Sequence, residues 1–181
     1  MGTTRTLKPV SVAEYLELEK TASVKHEYVE GMLFEMPGTS RRHNALALRL
    51  VRELYDAAQA NKCDLYASDV KVRVSDTVFY YPDVMMVCGD SPDPYYHDAP
   101  ILIIEVLSPS TETTDRREKL LAYQKLPTLQ SYLLVSSEAR RVESYDRQAE
   151  GWQYRLVEET GEVAFAPLAL SLTLEDIYQG L

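Results

Sequence analysis

Two acidic residues stand where an apolar strand gives them no obvious partner. Asp83 follows Pro82 and opens the apolar run 84–88 (VMMVC), and Glu105 interrupts the run 101–107 (ILIIEVL). Both runs are too short for ordinary helices and are built from strand-forming residues, so both read as β-strands. An antiparallel pairing that sets Cys88 opposite Pro100 also sets Asp83 opposite Glu105. Directly opposite residues share a face with Cβ atoms roughly 5 Å apart, whereas a slip of one residue sends one acid to the other face. Two carboxylates at that spacing repel by about 3 kcal/mol at an effective dielectric near 20. Such a pair takes up a proton or holds a cation between its members. The candidate cations are a divalent metal and the ammonium of Lys119, in the segment that follows. A carboxylate pair with a nearby lysine suits metal-assisted hydrolysis of a phosphodiester.

These residues need elements to hold them. Ser11 and Glu14 have capping-box spacing, so a helix is expected from about residue 12 to 20. Residues 27–36 (EYVEGMLFEM) read as a hairpin turning at Glu30 and Gly31. Thr39 or Ser40 can cap a helix over 41–61, whose apolar stripe is Leu46, Leu50, Val51, Leu54, Ala57 and Ala58. Residues 65–74 alternate as one strand with a single buried face, and Asp76 and Thr77 turn it toward the acid-bearing pair. Prolines, aspartates and a glycine make 89–99 an exposed loop carrying Tyr95, Tyr96 and His97. A polar loop over 108–113 leads into a helix over 114–125 that ends before Pro127. Residues 131–136 (SYLLVS) read as a central strand, 141–146 and 152–158 as a hairpin near the C-terminus, and Thr173 as the start of a short last helix.

Composition bounds the function. The 181 residues are 45% hydrophobic, enough for one α/β domain spanning 1–181 with a real core. No apolar run reaches the length of a membrane span, and residues 1–9 carry no apolar signal core, so a cytoplasmic chain without export is expected. Cys63 and Cys88 lack the spacing of a metal site, and reduced thiols fit that compartment. A net charge of −9 argues against coating nucleic acid through the overall field, but leaves room for a local basic rim around an acidic site. His26, His43 and His97 lack zinc spacing. Nucleophile-elbow, phosphate-loop, zinc-helix and dinucleotide signatures are absent from the sequence.

EYVEG, a His on the following helix, YPDV, EVLSPST, D-x-x-x-K-x-x-x-Y and SYLLV together resemble the Uma-two endonuclease family, within the restriction-endonuclease-like PD-(D/E)XK superfamily. The resemblance runs from about Val10 to the C-terminus. It implies a mixed central β-sheet flanked by helices, with the additional hairpin near the C-terminus, and a metal site at one end of a strand pair. Asp83 then matches the Asp of PD and Glu105 the acid of (D/E)XK. Leu107 stands where the lysine belongs, and Lys119 on the next helix looks like its migrated replacement. The implied function is an endonuclease hydrolysing phosphodiester bonds in DNA with Mg²⁺ or Mn²⁺. Asp83, Glu105 and the carbonyl oxygen of Val106 would hold the ion, with Glu27 as a further carboxylate. The family also implies a homodimer.

Each residue has a plainer alternative. Ile103, Glu105 and Leu107 share one strand face and Leu102, Ile104 and Val106 the other, and the plainer reading of Glu105, the less favoured of the two, is a core acid tied to Arg or Lys. Pro-Asp at a strand start is ordinary turn chemistry, most helical lysines are solvated, and a hairpin acid such as Glu27 is usually exposed. Tyr123 lies on the face of Lys119, and Asp115, one turn earlier, offers it a salt bridge. Arg41, Arg42 and His43 form a first helical turn that can meet a phosphate or stay a solvated cationic turn. The doublets at Arg116 and Arg117 and at Arg140 and Arg141 can track a backbone or sit in solvent. The rival to the nuclease is an inactive domain of the same fold that binds a partner or another copy, with Glu105 and Lys119 as a buried ion pair.

Overall fold

The computed structural model describes residues 9–181. The N-terminal segment read as lacking an export signal lies almost wholly outside them. Ser11 caps α1 (Val12–Glu19) through the expected box with Glu14, and a hairpin of β1 (His26–Val29) and β2 (Met32–Glu35) follows. Its two turn residues, Glu30 and Gly31, have φ of 48° and 91°, the left-handed pair that matches the twist of a two-residue hairpin. A side chain at 31 would also strike Pro9, since a Cβ there would lie 2.6 Å from the proline Cβ. Ser40 caps α2 (Arg41–Ala60), which buries Leu46, Leu50, Leu54 and Ala58.

The chain then builds β3 (Asp64–Ala67), β4 (Lys71–Ser75), β5 (Val78–Tyr80), β6 (Val84–Val87), β7 (Tyr96–His97) and β8 (Pro100–Leu107). A helical stretch follows: α3 (Glu112–Thr114), a π-turn (Asp115–Lys119) and α4 (Leu120–Tyr123). After it come β9 (Ser131–Ser136), the hairpin β10 (Arg141–Gln148) and β11 (Gly151–Glu158), β12 (Glu162–Phe165), β13 (Leu170–Thr173) and α5 (Leu174–Tyr178). The main sheet has the order β11-β10-β9-β8-β6-β3, in which only β8 and β9 run parallel. A second sheet has the order β2-β1-β5-β4-β7. The fold is a mixed central sheet flanked by helices, with the C-terminal hairpin extending one edge.

β8 lies between two apolar layers. Leu102, Ile104 and Val106 pack with the buried face of α2. Ile103 and Leu107 pack with Tyr123, Leu126, Tyr132 and Leu134. Each such side chain contributes about 1.5–3 kcal/mol when fully buried, so β8 anchors whatever is mounted on it.

Four expectations need correction. Residues 65–74 form two strands in different sheets: the chain turns at Ser68 (φ 55°) and Asp69, residues whose short polar side chains suit such turns. The 89–99 segment contains β7, which pairs parallel with β4, and His97 is buried against the Tyr66 ring at 4.7 Å. The helix placed at 114–125 spans 112–123 and is interrupted by the π-turn. Cys63 and Cys88, read as free thiols, form a disulfide, because β3 and β6 are antiparallel neighbours and bring these flanking residues together. Among the described residues no helix is long and apolar enough to cross a membrane.

Candidate active site

The pairing of β6 with β8 sets the acids. Val84 lies opposite Ile104, Met85 opposite Ile103 and Met86 opposite Leu102, the register expected from sequence. A bulge then brings Val87, not Cys88, opposite Pro100. The irregularity lies at the far end of the pair, so Asp83 and Glu105 still meet. The Val106 amide donates to Asp83 Oδ2 at 2.8 Å, and the Asp83 amide faces Glu105 Oε2 at 3.4 Å.

The helical stretch brings the cation. Lys119 Nζ lies 2.9 Å from Glu27 Oε1, 3.1 Å from Glu105 Oε1 and 3.3 Å from Asp115 Oδ1. Tyr123 donates its hydroxyl to Glu105 Oε1 at 2.9 Å. Asp115, Lys119 and Tyr123 recur every fourth residue, a spacing that drifts by about 40° per step around an α-helix of 3.6 residues per turn. The wider π-turn at Asp115–Lys119 takes back that drift and keeps all three side chains pointing into the sheet end. β1 supplies Glu27, whose carboxylate also faces the Tyr81 amide at 3.4 Å.

Electrostatics follow from this crowding. Glu105 is 2% exposed, and burial drives its pKa well above the usual carboxylate range. Lys119 opposes that rise, while Asp115, Asp83 and Glu27 reinforce it. Asp115 is raised for the same reasons, burial first, against Lys119. For Lys119, burial works against the ammonium, but Glu105, Glu27 and Asp115 overcome it and hold its pKa well above that of a free lysine. The cluster therefore keeps its ammonium and has more carboxyl groups than cations. Asp115 Oδ1 is buried without a hydrogen-bond partner, although the ammonium lies within ion-pair distance.

His43 departs from its expected place. It is buried, with Nε2 3.2 Å from Asp83 Oδ2, instead of meeting solvent or an external phosphate in the first turn of α2. Burial lowers its pKa, but the hydrogen bond and charge of Asp83 and the Val106 backbone raise it more, and the net shift is upward. Val106 itself is paired with Val135 across β8 and β9. Arg41 is exposed, and Arg42 donates to the Ser137 carbonyl. Arg116 is committed to Glu112 and Glu143, Arg140 to Glu175, and Arg141 to Glu143 and Glu158. Of the arginine doublets, only Arg117 projects as an uncommitted surface charge among the described ion pairs. The salt bridge that the four-residue spacing offered between Asp115 and Lys119 is present. Sequence reasoning passed over the pairing of His43 with Asp83, which nothing local signals.

The site opens into a cleft of about 260 Å³ lined by Pro37, Gly38, Ser40, His43, Tyr81, Asp83, Glu105, Ser108, Thr111, Asp115 and Lys119, among others. A second hollow of about 290 Å³ adjoins it across Asp115 and Lys119 and is lined by Glu27, Tyr80 and Glu118. The donor chemistry, all oxygen and net anionic, fits a hard divalent cation. As placed, the carboxylates are closed around Lys119, and among the described residues no group of three or more His, Cys, Asp or Glu is spaced to hold a metal ion.

Known proteins share this arrangement of elements and sequence. The chain is 34% identical over 176 residues to the "Uncharacterized protein slr1290" of Synechocystis sp., covering 95% of this chain and 93% of that one. It is 33% identical over 167 residues to the "Uncharacterized protein sll1609" of the same organism, covering 88% and 92%. The crystal structure of a "putative nuclease belonging to DUF820" from Anabaena variabilis superposes with a TM-score of 0.79 over 94% of this chain and 98% of that one, at 20% identity, which speaks to the fold. Residues 12–176 match the family model Uma2, described as "Putative restriction endonuclease", and the chain belongs to that family.

Proposed function

We propose that this chain is a divalent-metal-dependent endonuclease that hydrolyses phosphodiester bonds in DNA. The observation that carries the reading is the cluster of carboxyl groups at the end of the β6 and β8 pair. Glu105, Glu27 and Asp115 converge there on a single ammonium, with Asp83 beside Glu105 and against His43, in an open cleft. Asp83, Glu105 and the Val106 carbonyl are the residues that would hold Mg²⁺ or Mn²⁺, with Glu27 as a further carboxylate. A bound ion supplies a water-derived nucleophile at neutral pH and offsets charge on the phosphate. Lys119 keeps its proton at Nζ and, held by Glu27, Glu105 and Asp115, sets its positive charge beside the phosphate. His43 holds Asp83 in position, and Tyr123 orients Glu105.

Cleavage of supercoiled plasmid with Mg²⁺ or Mn²⁺ tests this. Wild type nicks, and Asp83→Asn and Glu105→Gln, with unchanged circular dichroism, do not; an inactive wild type or active variants sink the reading. The same reading has a homodimer acting in the cytoplasm. Sedimentation checks the first point, and subcellular fractionation of the cells that make the protein checks the second.

One observation favours a second reading, an inactive domain that binds a partner. The carboxylates already have an internal counter-ion in Lys119, as a structural ion cluster would. Calorimetric titration with Mn²⁺ separates the two. Binding that Glu105→Gln removes supports the metal site, and no binding at millimolar Mn²⁺ supports the inactive domain.

A further inference from the structure

Another polar pocket lies behind Tyr81, which also lines the cleft. It measures about 240 Å³ and is lined by Lys20, Lys25, Lys71, Glu19, Tyr81 and Tyr95, together with Leu16, Ala22 and Asp69. Three lysines face two carboxylates there, in a chain whose net charge is −9.

Lys71 is the unusual member. It is 5% exposed, yet it makes no ion pair within 4 Å among the described residues. Its ammonium donates to the Tyr81 hydroxyl at 3.2 Å and lies 5.9 Å from the centroid of the Tyr95 ring. The Tyr81 hydroxyl donates in turn to Glu19 Oε2 at 2.8 Å, and Glu19 also takes His26 Nδ1 at 2.9 Å, so that carboxylate is spoken for. Lys25 is paired with Asp69 and Lys20 with Glu17, both on exposed side chains. An ammonium has three donors, and one is used here. A buried cation with one hydrogen bond, ring faces at 5.1 and 5.9 Å and no anion within ion-pair distance is costly unless an anion arrives. Burial lowers the pKa of Lys71, in keeping with a charge that has no close counter-ion. Tyr95 stands at the rim, 53% exposed, where a planar group can stack on it.

We infer that this pocket binds a phosphate group of a polynucleotide strand next to the one in the cleft, with Lys71 on the phosphate and Tyr95 against the adjoining base. The inference rests on the nuclease reading for the strand, but not for the phosphate. Tyr81 is the shared wall, so a strand crossing it reaches both hollows.

Two measurements test it on the full chain. Inorganic phosphate, compared with chloride at equal ionic strength, raises the melting temperature of wild type but not of Lys71→Met. A fluorescein-labelled single-stranded 12-mer in metal-free buffer binds Lys71→Met more weakly, with the salt slope of log K reduced by roughly 0.7, one single-strand phosphate contact. Tyr95→Ala, at an exposed site that leaves the core untouched, weakens the 12-mer about 5-fold or more and leaves the phosphate shift intact. It carries the strand test if Lys71→Met proves unstable, and Lys71→Gln then carries the phosphate test. An equal phosphate shift in wild type and the lysine variants overturns the pocket, whether or not plasmid is cut. A phosphate shift confined to wild type, with 12-mer affinity unchanged in every variant, overturns the strand assignment. Plasmid cutting that persists alongside either failure leaves the nuclease reading standing without this subsite.

Discussion

Replacing Lys119 by Met removes the one ammonium that three carboxylates share. Each of its contacts, at 2.9, 3.1 and 3.3 Å, is a Coulomb attraction of about 5 kcal/mol at an effective dielectric near 20. Most of that gain is offset by the cost of taking the ammonium out of water. What the substitution leaves behind is two buried acids, Glu105 and Asp115, and the half-buried Glu27 without that counter-ion, and orphaning a buried charge costs about 3–5 kcal/mol. That is a large share of the roughly 5–15 kcal/mol that holds a domain together. The loss is pH-dependent, with a definite sign. Glu105 and Asp115 already have folded-state pKa values above their unfolded values, and losing the ammonium raises them further. The folded variant then binds more protons than its unfolded chain, so its stability increases as pH falls. The gap from wild type should be widest near pH 8 and narrow toward pH 5. Urea unfolding followed by the fluorescence of Trp152, the single tryptophan, reads it as a midpoint lower by about 2 M at pH 8 for an m-value near 2 kcal/mol/M. A shift under about 0.5 M, or an equal shift at pH 5 and pH 8, would mean that Lys119 faces bulk water and that the ion cluster does not exist.

Four further outcomes are expected. Glu105→Gln keeps an acceptor for Tyr123 but removes the charge, so nicking should fall to background while the far-ultraviolet spectrum is retained; residual cutting argues against Glu105 as a ligand. His43→Ala should cost about 10- to 100-fold in cleavage through the orientation of Asp83, and a variant as active as wild type removes that role. Reducing the disulfide opens a link with a sequence separation of 25, worth about 3.5 kcal/mol by loop entropy; denaturation midpoints that match with and without reductant would show thiols free in solution. Burial raises the pKa of Tyr15, Tyr80, Tyr81, Tyr123 and Tyr132, and pushes Tyr178 up to about 12. Folded values above the unfolded value of about 10 give stability that is present below pH 10 and lost as pH rises beyond it. Part of the tyrosinate absorbance should therefore appear only as circular dichroism collapses, and full titration of a folded chain would contradict the burial.

The placement of Asp83 against Glu105 was legible as one choice of register, since with apolar residues on both faces of both strands a slip of one residue carries little burial penalty. The bulge near Val87 was not, since nothing in VMMVC differs from a regular strand. Lys119 was reachable by its four-residue spacing to Asp115 and Tyr123, whereas the π-turn that makes the spacing work depends on packing against Tyr132, whose hydroxyl donates to the Asp115 carbonyl at 3.0 Å. His43 was misplaced because its partner, Asp83, lies forty residues on, and a polar residue in a first helical turn gives no sign of a tertiary partner. The split of 65–74 at Ser68 turned on a turn signal, Ser-Asp, outweighed by an unbroken alternation on either side. The C-terminal β12 and β13 pair escaped notice for a similar reason: each strand is only four residues long.

Because apolar layers cover β8 on both sides, Glu105 is approached edge-on, past the tip of the strand. The banks of that passage are Pro37, Gly38, Thr39 and Ser40 on one side and Ser108, Pro109, Ser110 and Thr111 on the other. These are short side chains with hydroxyls and bare backbone. On the proposed nuclease reading they suit a sugar-phosphate ribbon and are too stubby to probe the hydrogen-bonding edge of a nucleobase. Any preference among nucleotide sequences would then have to be written outside the channel.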